Sequence, residues 1–205
     1  MTLNHPDRLL PSDTFTRGLA RELYENIEDL PIISPHGHCD PIWFSENERF
    51  PDPAQLFVVP DHYVFRMLVS QGLTLQEFGI RTLDGSSFEN DPKKIWEKFS
   101  ENYYLFRGTP TAMWLDYSFE KVFGITEPLT PAVSDFYYNH IEEKLSEPEY
   151  LPRALFDKFN IEVLSTTDSA LSDLSQHIEI RNSNWDGRII PTYRPDSVID
   201  PQSLE

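Results

Sequence analysis

The sequence predicts an α/β protein whose parallel sheet is interrupted, after its first strand, by a long helical segment. Three observations carry that reading. An amphipathic helix runs into a short β-branched stretch, "PII" (31–33). From Pro41 to about Leu151 the pattern is almost wholly helical and punctuated by prolines. The chain then changes to "IEVLSTTD", "ALSDLSQHIEIRNS" and "GRIIPTYRPD", which reads strand, helix, strand. A strand, a crossover helix and a second strand form the unit from which parallel sheets are built.

The elements follow in order. "PSDTFTRGLARELYENIEDL" (11–30) is a helix that Ser12 or Asp13 can cap, with Leu19, Leu23 and Ile27 on one face. "PII" is then a short strand of buried type. "VVPDHYVFRMLVSQG" is a helix with Pro60 near its first turn and Gly72 as its stop. In "DPKKIWEKFSENYYLF", Asp91 caps and Pro92 takes the first helical position. "TPTAMWLDYSFEKVFGI" repeats the device with Thr109 and Pro110, and "TPAVSDFYYNHIEEKL" repeats it with Thr130 and Pro131. "PRALFDKF" is a short helix leading into the second strand. Three segments result: 1–40, the first helix and strand; 41–151, the helical insertion; and 152–205, the β-α-β continuation. Parallel strands need cover on both faces, so three of them are expected to belong to a larger sheet. The 205 residues are therefore expected to be the N-terminal part of something longer.

Composition excludes several function classes. Acidic residues outnumber basic ones 34 to 17, a formal charge of −17 that repels nucleic-acid backbones and anionic membranes. An anionic substrate would need local arginine, lysine or metal to overcome that field. No basic leader with an apolar core opens the chain, and no apolar run approaches ~18 residues. The single cysteine, Cys39, has no internal partner, and a soluble, reducing, cytoplasmic setting is expected.

The residues able to carry chemistry fall in three places. In "SPHGHCDP", strand alternation puts His36 and His38 on one face and turns Gly37 and Cys39 away. Two imidazoles that close can hold one divalent metal, and the carboxyl end of a strand is where parallel folds place their sites. The plainer reading is a pair of surface histidines, with Cys39 a small packed residue. In "PDHYVFRM", His62 and Arg66 share a helix face and Tyr63 lies about 100° round from His62. Such a group can bind an oxyanion or carboxylate; alternatively Tyr63 packs in the core and Arg66 pairs with a surface acid. In "TYRPD", Arg194 can clamp a carboxylate or fix a loop through Asp196. "STTD" (165–168) reads first as a cap for the next helix by Thr167 or Asp168. Trp43, Trp96, Trp114 and Trp185 read as packing residues, and His5, His140 and His177 as ordinary surface or helix residues. There is no phosphate loop, serine-hydrolase elbow or Cys-x-x-Cys pair.

Taken together, "DRLLPSD", "DLPIISPHGHCDP", "PDHYVFRMLVSQG", "YLFRGTP", "RALFDKFNIEVLSTTD" and "YRPDSVID" make the chain resemble the uronate (glucuronate) isomerase family of the amidohydrolase superfamily. The resemblance spans nearly the whole chain. It implies the N-terminal portion of a distorted (β/α)8 TIM barrel of metal-dependent hydrolase type, with a helical insertion after strand 1. It also implies reversible aldose–ketose isomerisation of D-glucuronate to D-fructuronate and D-galacturonate to D-tagaturonate. His36 and His38 match the family's first-strand metal ligands for a divalent ion, usually zinc. His62 and Tyr63 match its active-site pair, and Arg194 and Arg66 are the expected substrate-binding cations. The family's base, an aspartate on the eighth strand, has no match here, and Asp168 and Asp196 belong to other motifs. A homo-oligomer acting on a small sugar acid is expected. Two alternatives stand beside this reading: a metal-dependent hydrolase of the same superfamily, and a non-catalytic acidic oligomerising module.

Overall fold

The computed structural model describes residues 3–199. In chain order they form α1 (Thr14–Glu25), β1 (Ile32–Ser34), α2 (Ile42–Glu46), α3 (Pro53–Phe57), α4 (His62–Val69), α5 (Pro92–Glu101) and α6 (Pro110–Tyr117). There follow α7 (Ser134–Leu145), α8 (Pro152–Lys158), β2 (Ile161–Ser169), α9 (Ser175–Asn182), β3 (Arg188–Arg194) and α10 (Asp196–Ile199). Two compact units result, one formed by 1–12 and 50–147, the other by 13–49 and 148–205. Among the described residues no helix is long and apolar enough to cross a membrane.

The second unit carries the sheet. Its order is β1-β2-β3 and both pairings are parallel, as the strand–helix–strand pattern requires. β2 is central, so its Val163, Leu164, Ser165 and Thr166 are all buried. Pro191 lies in β3, which pairs only with β2 among the described strands, and an edge strand tolerates a residue without an N–H. On one face Leu164 and Ile189 pack with Phe44, Phe156 and Ile180, and Cys39 and Trp185 close the cluster. Trp185 stacks on Phe44 at 5.8 Å and meets Phe156 edge-on at 5.1 Å. Burying side chains of this size contributes about 1.5–3 kcal/mol each. Arg153 of α8 ties α2 to this cluster. Its Nε donates to the Phe44 carbonyl at 2.8 Å, its Nη2 to the Ser45 carbonyl at 3.1 Å, and its guanidinium lies over Trp185.

Three expectations for this unit need correction. Asp13 caps α1 as expected, accepting from the Thr16 N–H, but the helix ends at Glu25 rather than at Leu30. Its stripe is not buried: Leu19, Leu23 and Ile27 are 46%, 72% and 56% exposed. β1 likewise exposes Ile32 and Ile33; among the described strands it pairs only with β2. Apolar periodicity reports a face that requires cover without saying which residues provide it. The third correction concerns α9, which begins at Ser175 rather than Ala170. Leu174 has a left-handed φ of 55°, which breaks any helix there, and Asp173 accepts from the Ser175 N–H at 2.9 Å.

In the first unit two cap-and-proline devices act where the sequence places them: Asp91 with Pro92 starts α5, and Thr109 with Pro110 starts α6. At α4 the cap is Asp61, which the sequence reading did not single out, with Pro60 just before it. The fourth differs. Pro131 opens a 3₁₀ turn before α7, and Thr130 makes no side-chain capping bond. Trp96, Phe99, Phe119 and Tyr137 form an aromatic core, where the Trp96 indole N–H donates to the Ser134 carbonyl at 3.2 Å.

Candidate functional site

Strand β1 stops at Ser34, so His36 and His38 stand in the loop beyond it and strand alternation does not orient them. Gly37 between them makes a close approach to the sheet. A Cβ on Gly37 would lie 2.9 Å from the Ser165 carbonyl oxygen of β2, so the loop rests directly on the central strand's backbone. The imidazoles on either side meet each other. Their Nε2 atoms are 2.9 Å apart and their rings cross at 62°, with both residues exposed. Metal–imidazole bonds are about 2.0–2.1 Å long, so two nitrogens this close fit a single divalent ion. No group of three or more His, Cys, Asp or Glu among the described residues is placed to hold a metal. Cys39 packs against the apolar cluster, and burial pushes its thiol pKa above the ordinary value. Asp40 turns the chain into α2 by accepting from the Ile42 N–H at 3.0 Å.

Beside His38 lies a cavity of about 670 Å³, walled by Asp40, Thr167, Asp168, Ser169 and Gln176 among others. The reading of Asp168 as a helix cap is not borne out, because β2 runs through it to Ser169. Its Oδ2 instead accepts from the Thr166 hydroxyl at 2.6 Å, and that hydroxyl also meets His177 Nε2 at 2.8 Å. His177 is therefore no surface residue; it is 5% exposed, on the inner side of α9. Sequence reasoning missed this trio. Its one local signal is that Thr166 and Asp168 are two apart on a strand and share a face.

The other candidates are placed as follows. Arg194 ends β3 opposite Ser169, and its Nε lies 3.4 Å from Asp196 Oδ2, with both side chains largely exposed. In the helical unit Asp61 accepts from the Tyr63 and Val64 N–H groups, which sets His62 and Tyr63 in the first turn of α4. The His62 and Tyr63 rings lie 4.2 Å apart, tilted at 34°. Tyr63 is 63% exposed, so it does not pack in a core, and Arg66 is exposed as well.

Residues 9–203 match the sequence profile of the glucuronate isomerase family. The chain belongs to that family. Among curated relatives, the uronate isomerase of Rhizobium meliloti is 57% identical over 196 residues, which is 96% of this chain and 42% of that protein. The uronate isomerase of Mesorhizobium japonicum is 53% identical over 98% of this chain and 43% of its own length. The crystal structure of glucuronate isomerase from Caulobacter crescentus superimposes with a TM-score of 0.92 at 49% identity, covering 98% of this chain and 42% of that one. The Thermotoga maritima uronate isomerase gives 0.77 at 27% identity, over 88% of this chain and 38% of that one. The chain thus spans about two-fifths of the length of these glucuronate isomerase relatives. The resemblance carried by the six motifs is borne out, as is the α/β class of the fold.

Proposed function

We propose that this chain is the N-terminal part of a uronate isomerase with a (β/α)8 barrel, the helical segment being an insertion after the first strand. The observation that carries this is the converging His36–His38 pair at the carboxyl end of β1, in a parallel sheet. The reaction proposed is the interconversion of D-glucuronate with D-fructuronate and of D-galacturonate with D-tagaturonate. A proton leaves C2, an enediol forms, and a proton is delivered to C1. Zinc or another divalent ion held by His36 and His38 would supply electrostatic stabilisation of the charge that develops on oxygen. The phenol of Tyr63 and the ring of His62 serve as hydrogen-bonding groups toward such an oxygen. Arg194 is proposed to bind the hexuronate carboxylate, exchanging its exposed contact with Asp196 for a bidentate one, and Arg66 to supply a second cation. These local cations matter because the net charge of −17 opposes an anionic ligand. Neither Asp168 nor Asp196 is assigned as the base. A cytoplasmic homo-oligomer is the proposed assembly, and sedimentation equilibrium reads it.

Complementation tests the reading. The 205-residue chain, co-expressed with the C-terminal three-fifths of the Rhizobium meliloti relative, should isomerise glucuronate in a coupled reductase assay. The double variant His36→Ala, His38→Ala should lose both that activity and bound metal. Ester or amide hydrolysis without isomerisation would transfer the assignment to a metal-dependent hydrolase. Unchanged metal content in the double variant would remove the ligand assignment altogether.

A further inference from the structure

We infer that Asp168 binds a hydroxyl group of the sugar acid in the cavity beside His38, and that Thr166 and His177 are the residues that position its carboxylate. The inference rests on the hexuronate reading above and adds to it a binding group and the relay behind it.

The Thr166 hydroxyl carries one proton and has three neighbours: Asp168 Oδ2 at 2.6 Å, His177 Nε2 at 2.8 Å and the Ile190 carbonyl at 3.3 Å. A carboxylate only accepts, and the shortest contact is to it, so the hydroxyl donates to Asp168. The hydroxyl must then accept from His177, which places a proton on Nε2. His177 Nδ1 is buried and has no partner among the described residues. A bare nitrogen is tolerable there, whereas an N–H would leave a donor unsatisfied. His177 thus presents an Nε2–H to Thr166, 3.7 Å from Asp168 Oδ2 itself, and the chain runs His177 to Thr166 to Asp168 with every step a donation in one direction.

This relay is itself dry. Thr166 is fully buried and His177 5% exposed, so the relay holds one oxygen of Asp168 rigidly. The other oxygen has no hydrogen bond from the described residues, and Asp168 forms part of the cavity wall with Ser169, Thr167, Gln176 and Asp40. Away from His38, two carboxylates, hydroxyls and an amide, with Ile42 and Leu171 between them, make a wall that has acceptors and no lysine or arginine. Such a wall suits a polyol better than a carboxylate, so the sugar's hydroxyls belong here and its acid group elsewhere. A fixed acceptor costs little ordering on binding, which is the use of a relay behind it.

The test separates this inference from the reading beneath it. In the 205-residue chain, nitrogen-15 NMR of the imidazoles should show His177 protonated at Nε2. Thr166→Val should lose that signature and Thr166→Ser should restore it. Calorimetric titration of the co-expressed two-part protein with D-glucuronate should show Asp168→Asn and Thr166→Val each weakening binding about tenfold or more, the loss expected for one hydrogen bond to a charged group. Thr166→Ser should bind as the parent does. If glucuronate binds and Asp168→Asn leaves its affinity unchanged, the inference is overturned while the hexuronate reading stands. If the co-expressed two-part protein binds no uronate at all, the reading fails and the proposed ligand goes with it. A His177 signal from the Nδ1-protonated tautomer would overturn the relay whatever the titration shows.

Discussion

Replacing Gly37 with alanine tests what orients the histidine pair. The backbone of Gly37 is not in the left-handed region, so conformational strain is not the issue; the obstacle is proximity. The added methyl would stand 2.9 Å from the Ser165 carbonyl oxygen, and 3.5 Å and 3.7 Å from Leu164 side-chain carbons. Ordinary contact begins near 3.4 Å, so something must yield by about 0.5 Å. Ser165 cannot readily yield. It is buried in the central strand and held in register with Ile190 of β3. The loop must therefore lift, carrying His36 and His38 with it. Overpacking of this kind costs about 1–3 kcal/mol. Urea unfolding of Gly37→Ala should show that loss, and cobalt titration should show weakened binding with an altered visible spectrum. Gly18→Ala is the matched control. It lies in the exposed middle of α1 with nothing within 4 Å of the new methyl, and should gain about 0.5–1 kcal/mol. Full stability and unchanged cobalt binding in Gly37→Ala would refute the view that this close approach sets the pair.

Other outcomes follow from the same structure. Arg153→Ala should destabilise the sheet unit by about 2 kcal/mol through loss of its bonds to the Phe44 and Ser45 carbonyls. Arg153→Lys should not recover this, since one ammonium cannot reproduce the two-point fork; equal urea midpoints for Lys and Arg would contradict that. Cys39 should react with iodoacetamide far more slowly in the native chain than in urea, because burial raises its thiol pKa and hinders access. Glu77 gives a pH dependence in the helical unit. The Thr74 N–H, then Lys98 and the Thr74 hydroxyl, lower its carboxyl from an ordinary 4.5 to about 2. A lowered folded pKa means that its stabilisation is complete above about pH 4.5 and fades as the pH falls toward 2. Glu77→Gln should flatten that acid limb in urea titrations, and an unchanged limb would assign it to other groups.

The starts of α1, α5 and α6 were legible because Asp13, Asp91 and Thr109 act on N–H groups two or three residues away. The parallel sheet was legible because β2, α9 and β3 form a crossover unit whose periodicities change within a few residues. The histidine pair was legible as residue types, and six ordered motifs were enough to show the family. The two imidazoles do meet, as their same-face placement led one to expect, although the strand itself ends at Ser34. What the sequence did not reveal is the close approach of Gly37 to Ser165, 128 positions further on. The burial of His177 was equally invisible, since it depends on Thr166, eleven residues earlier on another element. Leu19 and Leu23 show the same limit from the other side: periodicity marked an apolar face, and only the fold shows that no described residue covers it. By itself the sequence determined what acts within a turn or along a strand: helix caps, the prolines that start helices, the strand–helix–strand unit and the residue types at the candidate site. The tertiary structure alone decided which distant backbones touch, which imidazole is dry and which carboxylate is held. Those contacts depend on packing between segments far apart in the chain, which no local pattern encodes.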